Sequence, residues 1–461
     1  MSDTAPHVLA ERALEAAGGP SIVLVEAGTT ANLRWAANTL TTNGLSGGHT
    51  VTVIATSEGA DGVSTGVVRR GGVQPDDVAA LVAEAEAEAA AAPPSEDAAP
   101  LVAGRAEDDF DQPPADLEAG SLSSFAEALG AAIGQARSSD QELFGYAEQS
   151  LSTSYLASTT GLRARYVQPA ARAEVNGKAA GRTRSAWAGA GARELAAVDV
   201  GALAAEVDTR LGWQARHLEL AAGRYDTVLP PSAVADLMVY AYWSAGARTA
   251  HEGRSVFGKP GGGTRVGERL SETPVSLWSD PTAAGLECPP YVMTPGSSEL
   301  ASVFDNGLAT PACAWIDKGE LAALPTTRHT ATLTDLPLHP WVSNVSLGTQ
   351  GGAGDVDALV SDLDDGLLVT CMWYVREVDP RTLLLTGLTR DGVYRVRGGE
   401  VVGAVTNFRF NESPIDLLAR IEAVGATVPT IGREFGAYFS RTAMPPLRVT
   451  GFNMSSVSPA S

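Results

Sequence analysis

Apolar and β-branched residues recur with a period of two, or in short runs, over residues 21–26, 32–37, 50–55 and 62–69. That pattern, interrupted by polar turns, predicts the strands of a small sheet. The period becomes helical over 73–92, VQPDDVAALVAEAEAEAAAA, where Pro75, Asp76 and Asp77 stand at helix-opening positions and Ala, Leu and Glu sustain the helix. PPSEDAAP breaks it, so residues 91–120 read as a long surface loop. A second amphipathic helix is expected over 121–138, capped by Ser121.

Between 141 and 185 the alternation returns, predicting an antiparallel meander whose turns carry Asn-Gly and Thr-Thr-Gly. Residues 199–223 then read as one long helix ending at Gly223. RYDTVLPPSAV reads as strand, double proline and helix start, and marks a crossing into a second domain. After a helix over 233–247, nearly everything to the C-terminus is short strands and Gly or Pro turns. The expected fold class is α+β in two domains. Residues 1–225 form a mixed sheet-and-helix domain, and 226–461 a mainly antiparallel β barrel or sandwich.

Composition narrows the setting. At 461 residues the chain exceeds one ordinary core, and its 44% hydrophobic content is that of a globular protein. No apolar run is long enough for a membrane helix, and the first residues lack the basic start and apolar stretch of a secretory signal. A cytoplasmic location is expected. Net charge of −21 argues against nucleic acid or an anionic membrane as partner. Much of the acid lies within 76–118, thirteen Asp or Glu against Arg105 alone. Such a run reads as a solvated helix face and loop, with a docking surface for a basic partner as the alternative.

The side chains that carry chemistry are sparse. Cys288, Cys313 and Cys371 are isolated, which gives no disulfide framework and no cysteine-built zinc site; Cys371 lies in an apolar run, GLLVTCMWYV, and reads as buried. His251-Glu252 begins like a zinc-peptidase helix, but the positions one turn on hold Ser255 and Val256, so His251 reads as a loop residue. His217 reads as part of the helix over 199–223, and His339 as a turn residue packed on Trp341. GKPGGGTRVGERL lacks the Lys-Ser or Lys-Thr ending of a phosphate loop, and no G-x-S-x-G elbow occurs. The residues by themselves offer no catalytic constellation.

Longer segments do carry a resemblance. SNVSLGTQGGAGDVDALVSDLDDGLLVTCMWYV, followed by REVDPRTLLLTGLTRDGVYRVRGGEVVGAVTNFRFNESPIDLLARI, resembles the closing section of the TldD/PmbA metallopeptidase family in order, spacing and residue type. LRWAANTLTTNGLSGGHTVTV and PPLRVTGFNMSS are similar to its early strand-turn-strand and its last strand. About residues 85–230 match in layout more than in residues.

The resemblance implies a TldD and TldE pair enclosing a peptide-processing chamber, in which only TldD carries zinc, on a His-Glu-x-x-x-His helix completed by a C-terminal cysteine. Here the corresponding helix is VADLMVYAYWSAGA, with Tyr240 and Ala241 in place of the His-Glu pair and Ala245 in place of the second His. GREFGAYFSRTAMPPLRV also lacks the cysteine. The expectation is therefore a TldE-type chain with no catalytic or metal-binding residue of its own, partnered by a zinc-bearing TldD-type subunit and acting on unfolded peptide. Tyr242 and Trp243 are candidates for a substrate wall, against the plainer reading that they are core. The alternatives are a stand-alone peptide-binding or scaffold homodimer, and an enzyme of unrelated chemistry.

Overall fold

The computed structural model describes residues 5–118 and 120–458. Residue 119 of the expected loop and the first four residues of the N-terminal reading lie outside them. The N-terminal part begins with α1 (Pro6–Ala16), followed by β1 (Ser21–Ala36), β2 (Thr39–Gly59) and β3 (Gly62–Gly71). Next come α2 (Val78–Ala91) and α3 (Ser123–Ser138). The meander β4 (Glu142–Ser158), β5 (Arg163–Ala179) and β6 (Arg184–Ala192) leads to α4 (Val200–Trp213). The six strands form one antiparallel sheet in the order β3-β2-β1-β4-β5-β6.

The strands expected over 21–26 and 32–37 are one strand, β1. Its first half is buried on both faces, Val23 and Val25 against α1 and α2, Ile22 and Leu24 against the opposite core. Its second half alternates, with Ala31, Leu33 and Trp35 packing toward α3 and α4. Helix α2 buries Val78, Leu81, Val82, Ala85 and Ala89, a stripe at helical spacing. Helix α3 has Leu122 at its N-cap and no side-chain cap; the expected Ser121 cap is absent, and Ser123 Oγ donates to the Gly120 carbonyl instead (2.6 Å).

Two further expectations change. Thr159-Thr160-Gly161 does form the β4–β5 turn, but Asn176-Gly177 lies inside β5, paired with Phe144 and Leu143. Gly177 is where α4 presses on the sheet: a Cβ there would stand 2.2 Å from Val207 Cγ1. Helix α4 stops at Trp213 rather than Gly223, because the Gln214 side chain turns to clasp the backbone of Ser185. His217 is consequently not helical but an exposed residue of β7 (His217–Leu218), paired in parallel with β17 (defined below).

The chain crosses through β8 (Gly223–Leu229) into α5 (Pro231–Trp243) and α6 (Ala247–His251), so His251 closes a short helix. Then follow β9 (Ser276–Ser279), β10 (Cys313–Asp317), β11 (Glu320–Leu321), α7 (Arg328–Thr334), β12 (Val345–Gly348), α8 (Val356–Ser361) and β13 (Asp365–Val369). The hairpins are β14 (Trp373–Asp379), β15 (Leu384–Leu388), β16 (Val393–Arg397) and β17 (Glu400–Val405). The chain closes with β18 (Phe408–Glu412), α9 (Pro414–Leu418), β19 (Ile421–Val424), β20 (Val428–Thr430), β21 (Thr442–Met444) and β22 (Leu447–Val457).

These strands make two sheets. One runs β11-β10-β9-β12-β21-β20, the other β14-β15-β18-β22-β8-β13-β16-β17-β7 with β19 beside β22. Most pairs are antiparallel; β12/β21, β8/β13 and β7/β17 are parallel. Helix α5 packs against both sheets and shares one large core with them, including Leu229, Leu277, Trp315, Leu347, Phe410 and Met444. Its own residues from Ala233 to Val239 are buried on every side, as expected of a helix that is apolar nearly all round. The expected barrel or sandwich is two sheets with a helix packed against both.

Candidate functional site at the buried helix

Tyr240, Ala241 and Ala245, the residues of α5 and the turn just after it that the resemblance sets against a zinc motif, are held by packing. Ala241 and Ala245 are 1% and 5% exposed, and alanine carries no donor for a metal. Tyr240 sets its ring 5.6 Å from that of Phe435. Tyr242, 1% exposed, stacks on Trp341 (5.6 Å, 15°) and lies near Trp315 and Phe439; its hydroxyl donates to the Val342 carbonyl (2.9 Å) and accepts from the Val342 N–H (3.0 Å). Burial pushes its phenol far above the usual range. Tyr242 is a core residue. Trp243, half-buried, meets Phe435 edge-on at 5.2 Å.

One residue of α5 breaks the apolar pattern. Asp236 is fully buried, and its carboxylate accepts from three successive backbone N–H groups: Arg433 (2.9 Å), Glu434 (3.0 and 3.2 Å) and Phe435 (3.0 Å). Gly432 allows this approach, since a Cβ there would stand 2.1 Å from Asp236 Oδ1. Burial raises the acid to about 7, against the pull of the three N–H donors. An acid in a helix interior needs such partners, because an uncompensated buried charge is costly.

The segment held by Asp236 carries its own charges outward. The Arg433 guanidinium lies over the Trp373 ring (3.7 Å) and near Trp187 (5.4 Å), and pairs with Glu174 (2.9 Å) on β5. Glu174 also takes Arg172 (2.5 Å) and the Trp187 indole N–H (3.1 Å). Glu434 accepts from Arg376 (2.9 Å) and from the backbone N–H of Tyr374 (3.1 Å), whose φ is +51°. Helix α5, the edge strand β14 and the N-terminal sheet thus meet through residues 433 and 434. Sequence reading missed Asp236, Arg433, Glu174 and Trp373. Its one usable signal was the charge at 236, alone in a helix otherwise without charge.

Among the described residues, no three His, Cys, Asp or Glu side chains converge as a metal-holding group. The residues at the α5 positions do not fit a zinc ion. Cys288 and Cys371 are buried and Cys313 is half-buried; burial raises the Cys313 thiol to about 11 and the other two upward, so none is a ready thiolate. Between β6 and β20–β21 lies a cleft of about 500 Å³, lined among others by Gln168, Arg193, Glu287, Pro429 and Arg441.

Six antiparallel strands with flanking helices, joined to two sheets around a buried helix, define an α+β architecture shared with several solved structures. TldE from Thermococcus kodakarensis matches with a TM-score of 0.78 at 14% identity, over 96% of this chain and 98% of that one. A Thermotoga maritima protein described as a modulator of a DNA gyrase matches at 0.74 and 16% identity, over 96% and 99%. A Bacteroides thetaiotaomicron protein of like description matches at 0.74 and 12%, over 98% of each chain. In sequence, the PmbA/TldA metallopeptidase C-terminal domain matches residues 222–456 and the central domain of the same family matches 112–214. No curated protein matches the chain. The chain belongs to the PmbA/TldD metallopeptidase family.

Proposed function

We propose that this chain is a TldE-type subunit without catalytic metal, which completes a peptide-processing chamber with a zinc-bearing TldD-type partner in the cytoplasm. The observation that carries this reading is the chemistry where α5 meets residues 432–440. Tyr240, Ala241 and Ala245 stand where the resemblance sets the His, Glu and second His of a zinc helix, and Asp236, the one acid of α5, has both oxygens engaged by backbone N–H groups. A zinc peptidase needs a metal to polarise a carbonyl and activate water, but also walls that hold an extended substrate. The cleft between the sheet edges β6 and β20 is our candidate for such a wall, because an extended peptide adds naturally to an exposed strand edge.

The test is metal content, light scattering and cleavage of an unfolded peptide, on the purified chain alone and with a TldD-type protein. Expected are no stoichiometric zinc and no cleavage alone, and a larger, active species with the partner. Stoichiometric zinc with cleavage by the chain alone would overturn the reading, and a metal-free homodimer indifferent to the partner would favour a peptide-binding scaffold.

A further inference from the structure

A cavity of about 450 Å³ opens where the β5–β6 turn of the N-terminal sheet faces the β15–β16 turn and β17. Lys178, Arg182, Arg390 and His217 line it, and Asp391 is the only acid among the lining residues. In a chain of net charge −21, with lysine at positions 178, 259 and 318 alone, this is a local reversal of sign.

The charges are not all spent. Arg182 is engaged by Glu142 through two bonds (2.6 and 3.2 Å). Among the described residues, the Lys178 ammonium makes no hydrogen bond and feels the same Glu142 only through its charge, and the Ser185 hydroxyl has no hydrogen-bond partner. Arg390 pairs with Asp391 only through its buried Nε, at 3.7 Å, too long for a hydrogen bond. The Arg390 side chain is 37% exposed and its guanidinium makes no hydrogen bond among the described residues, and an oxyanion is a natural acceptor for its outer N–H groups. The wall behind is rigid: Gln214 bonds the Ser185 N–H (3.0 Å), the Ser185 carbonyl (2.6 Å) and the Tyr394 hydroxyl (3.2 Å). Arg182 and Asp391 both hold positive φ (70° and 66°), so the turns flanking the cavity carry strained backbone.

We propose that this cavity binds a small oxyanion, a phosphate or carboxylate group, held between Lys178 and Arg390 with the Ser185 hydroxyl as a further donor and His217 beside it. The group comes either from a free phosphorylated molecule or from the C-terminal carboxylate of a peptide. Its recognition does not depend on the peptidase reading. The Arg390 guanidinium also faces the Trp373 ring at 6.0 Å, the same ring that Arg433 covers, so an occupant would sit one side chain from the Asp236 junction.

The experiment is calorimetric titration of the full chain with inorganic phosphate, pyrophosphate, and one short peptide in free-acid and C-terminally amidated forms. Binding of either phosphate probe identifies the free source; binding of the free-acid peptide but not the amide identifies the peptide source. In either case Lys178→Gln and Arg390→Gln each weaken binding roughly tenfold or more, as loss of a charge-assisted bond requires. Lys178→Arg retains binding, Arg69→Gln on the remote face changes nothing, and unliganded melting temperatures show that the variants fold. No binding by any probe, or equal binding in wild type and both glutamine variants, overturns the proposal.

Discussion

The Arg433 guanidinium lies 3.7 Å from the centre of the Trp373 ring, while its Nη1 donates to Glu174 on a different sheet (2.9 Å). Its backbone N–H is held by Asp236 of α5 (2.9 Å). A single residue therefore fastens the buried helix, the edge strand β14 and the N-terminal sheet. The pair is 16% and 15% exposed, too enclosed for water to replace the lost partner cheaply.

Replacing Arg433 by alanine is expected to destabilise the chain by about 1–3 kcal/mol, below the cost of a fully isolated charge because Glu174 keeps Arg172. Arg433→Lys should recover less than half of this, since an ammonium cannot lie flat on the indole. Urea unfolding followed by tryptophan fluorescence reads both, and full recovery by lysine would show that charge alone matters.

Asp236→Asn retains one acceptor oxygen and turns an NH₂ toward N–H donors that now lack one. A loss of about 1–3 kcal/mol is expected for each N–H left unpaired. Trypsin should then cut after Arg433 in the folded variant and not in the parent; equal resistance in both would mean that the carboxylate does not hold this segment.

The same residue gives a pH dependence with a defined sign. Asp236 is raised from 3.8 to about 7, chiefly by burial, so the folded chain binds more protons than the unfolded one between those values. Its contribution to stability is therefore fully present below about pH 4 and falls as the pH rises to about 7, then stays level. Unfolding free energies of wild type and Asp236→Asn across this range should show a gap that narrows with rising pH. A gap that widens would mean that the N–H donors, not burial, dominate.

Gly177→Ala drives a methyl group into Val207 of α4, 2.2 Å away. Overpacking of this kind costs about 1–3 kcal/mol. The double variant Gly177→Ala, Val207→Ala should recover much of it, measured by thermal melts; additive losses would place the fault in the strand backbone instead.

What the sequence determined by itself is local: the alternation of β4 to β6, the Asp-Pro-x-Thr and Thr-Arg-Asp-Gly turns of the closing hairpins, the stripe of α2, and the family resemblance carried by residues 343–421. These follow from side-chain period and turn chemistry, which act over a few residues. The fusion of two expected strands into β1 and the place of Asn176-Gly177 inside β5 were decided by what packs above them, α1 and α2 in one case and α4 in the other. The end of α4 was decided by a Gln214 hydrogen bond to Ser185, which no helical period records. The stacking of Tyr242 on Trp341, the Asp236 junction 199 residues along the chain at Phe435, and the Lys178–Arg390 cavity exist only in three dimensions. Burial and hydrogen-bond partnership join groups far apart in sequence, and a one-dimensional pattern contains no measure of that distance.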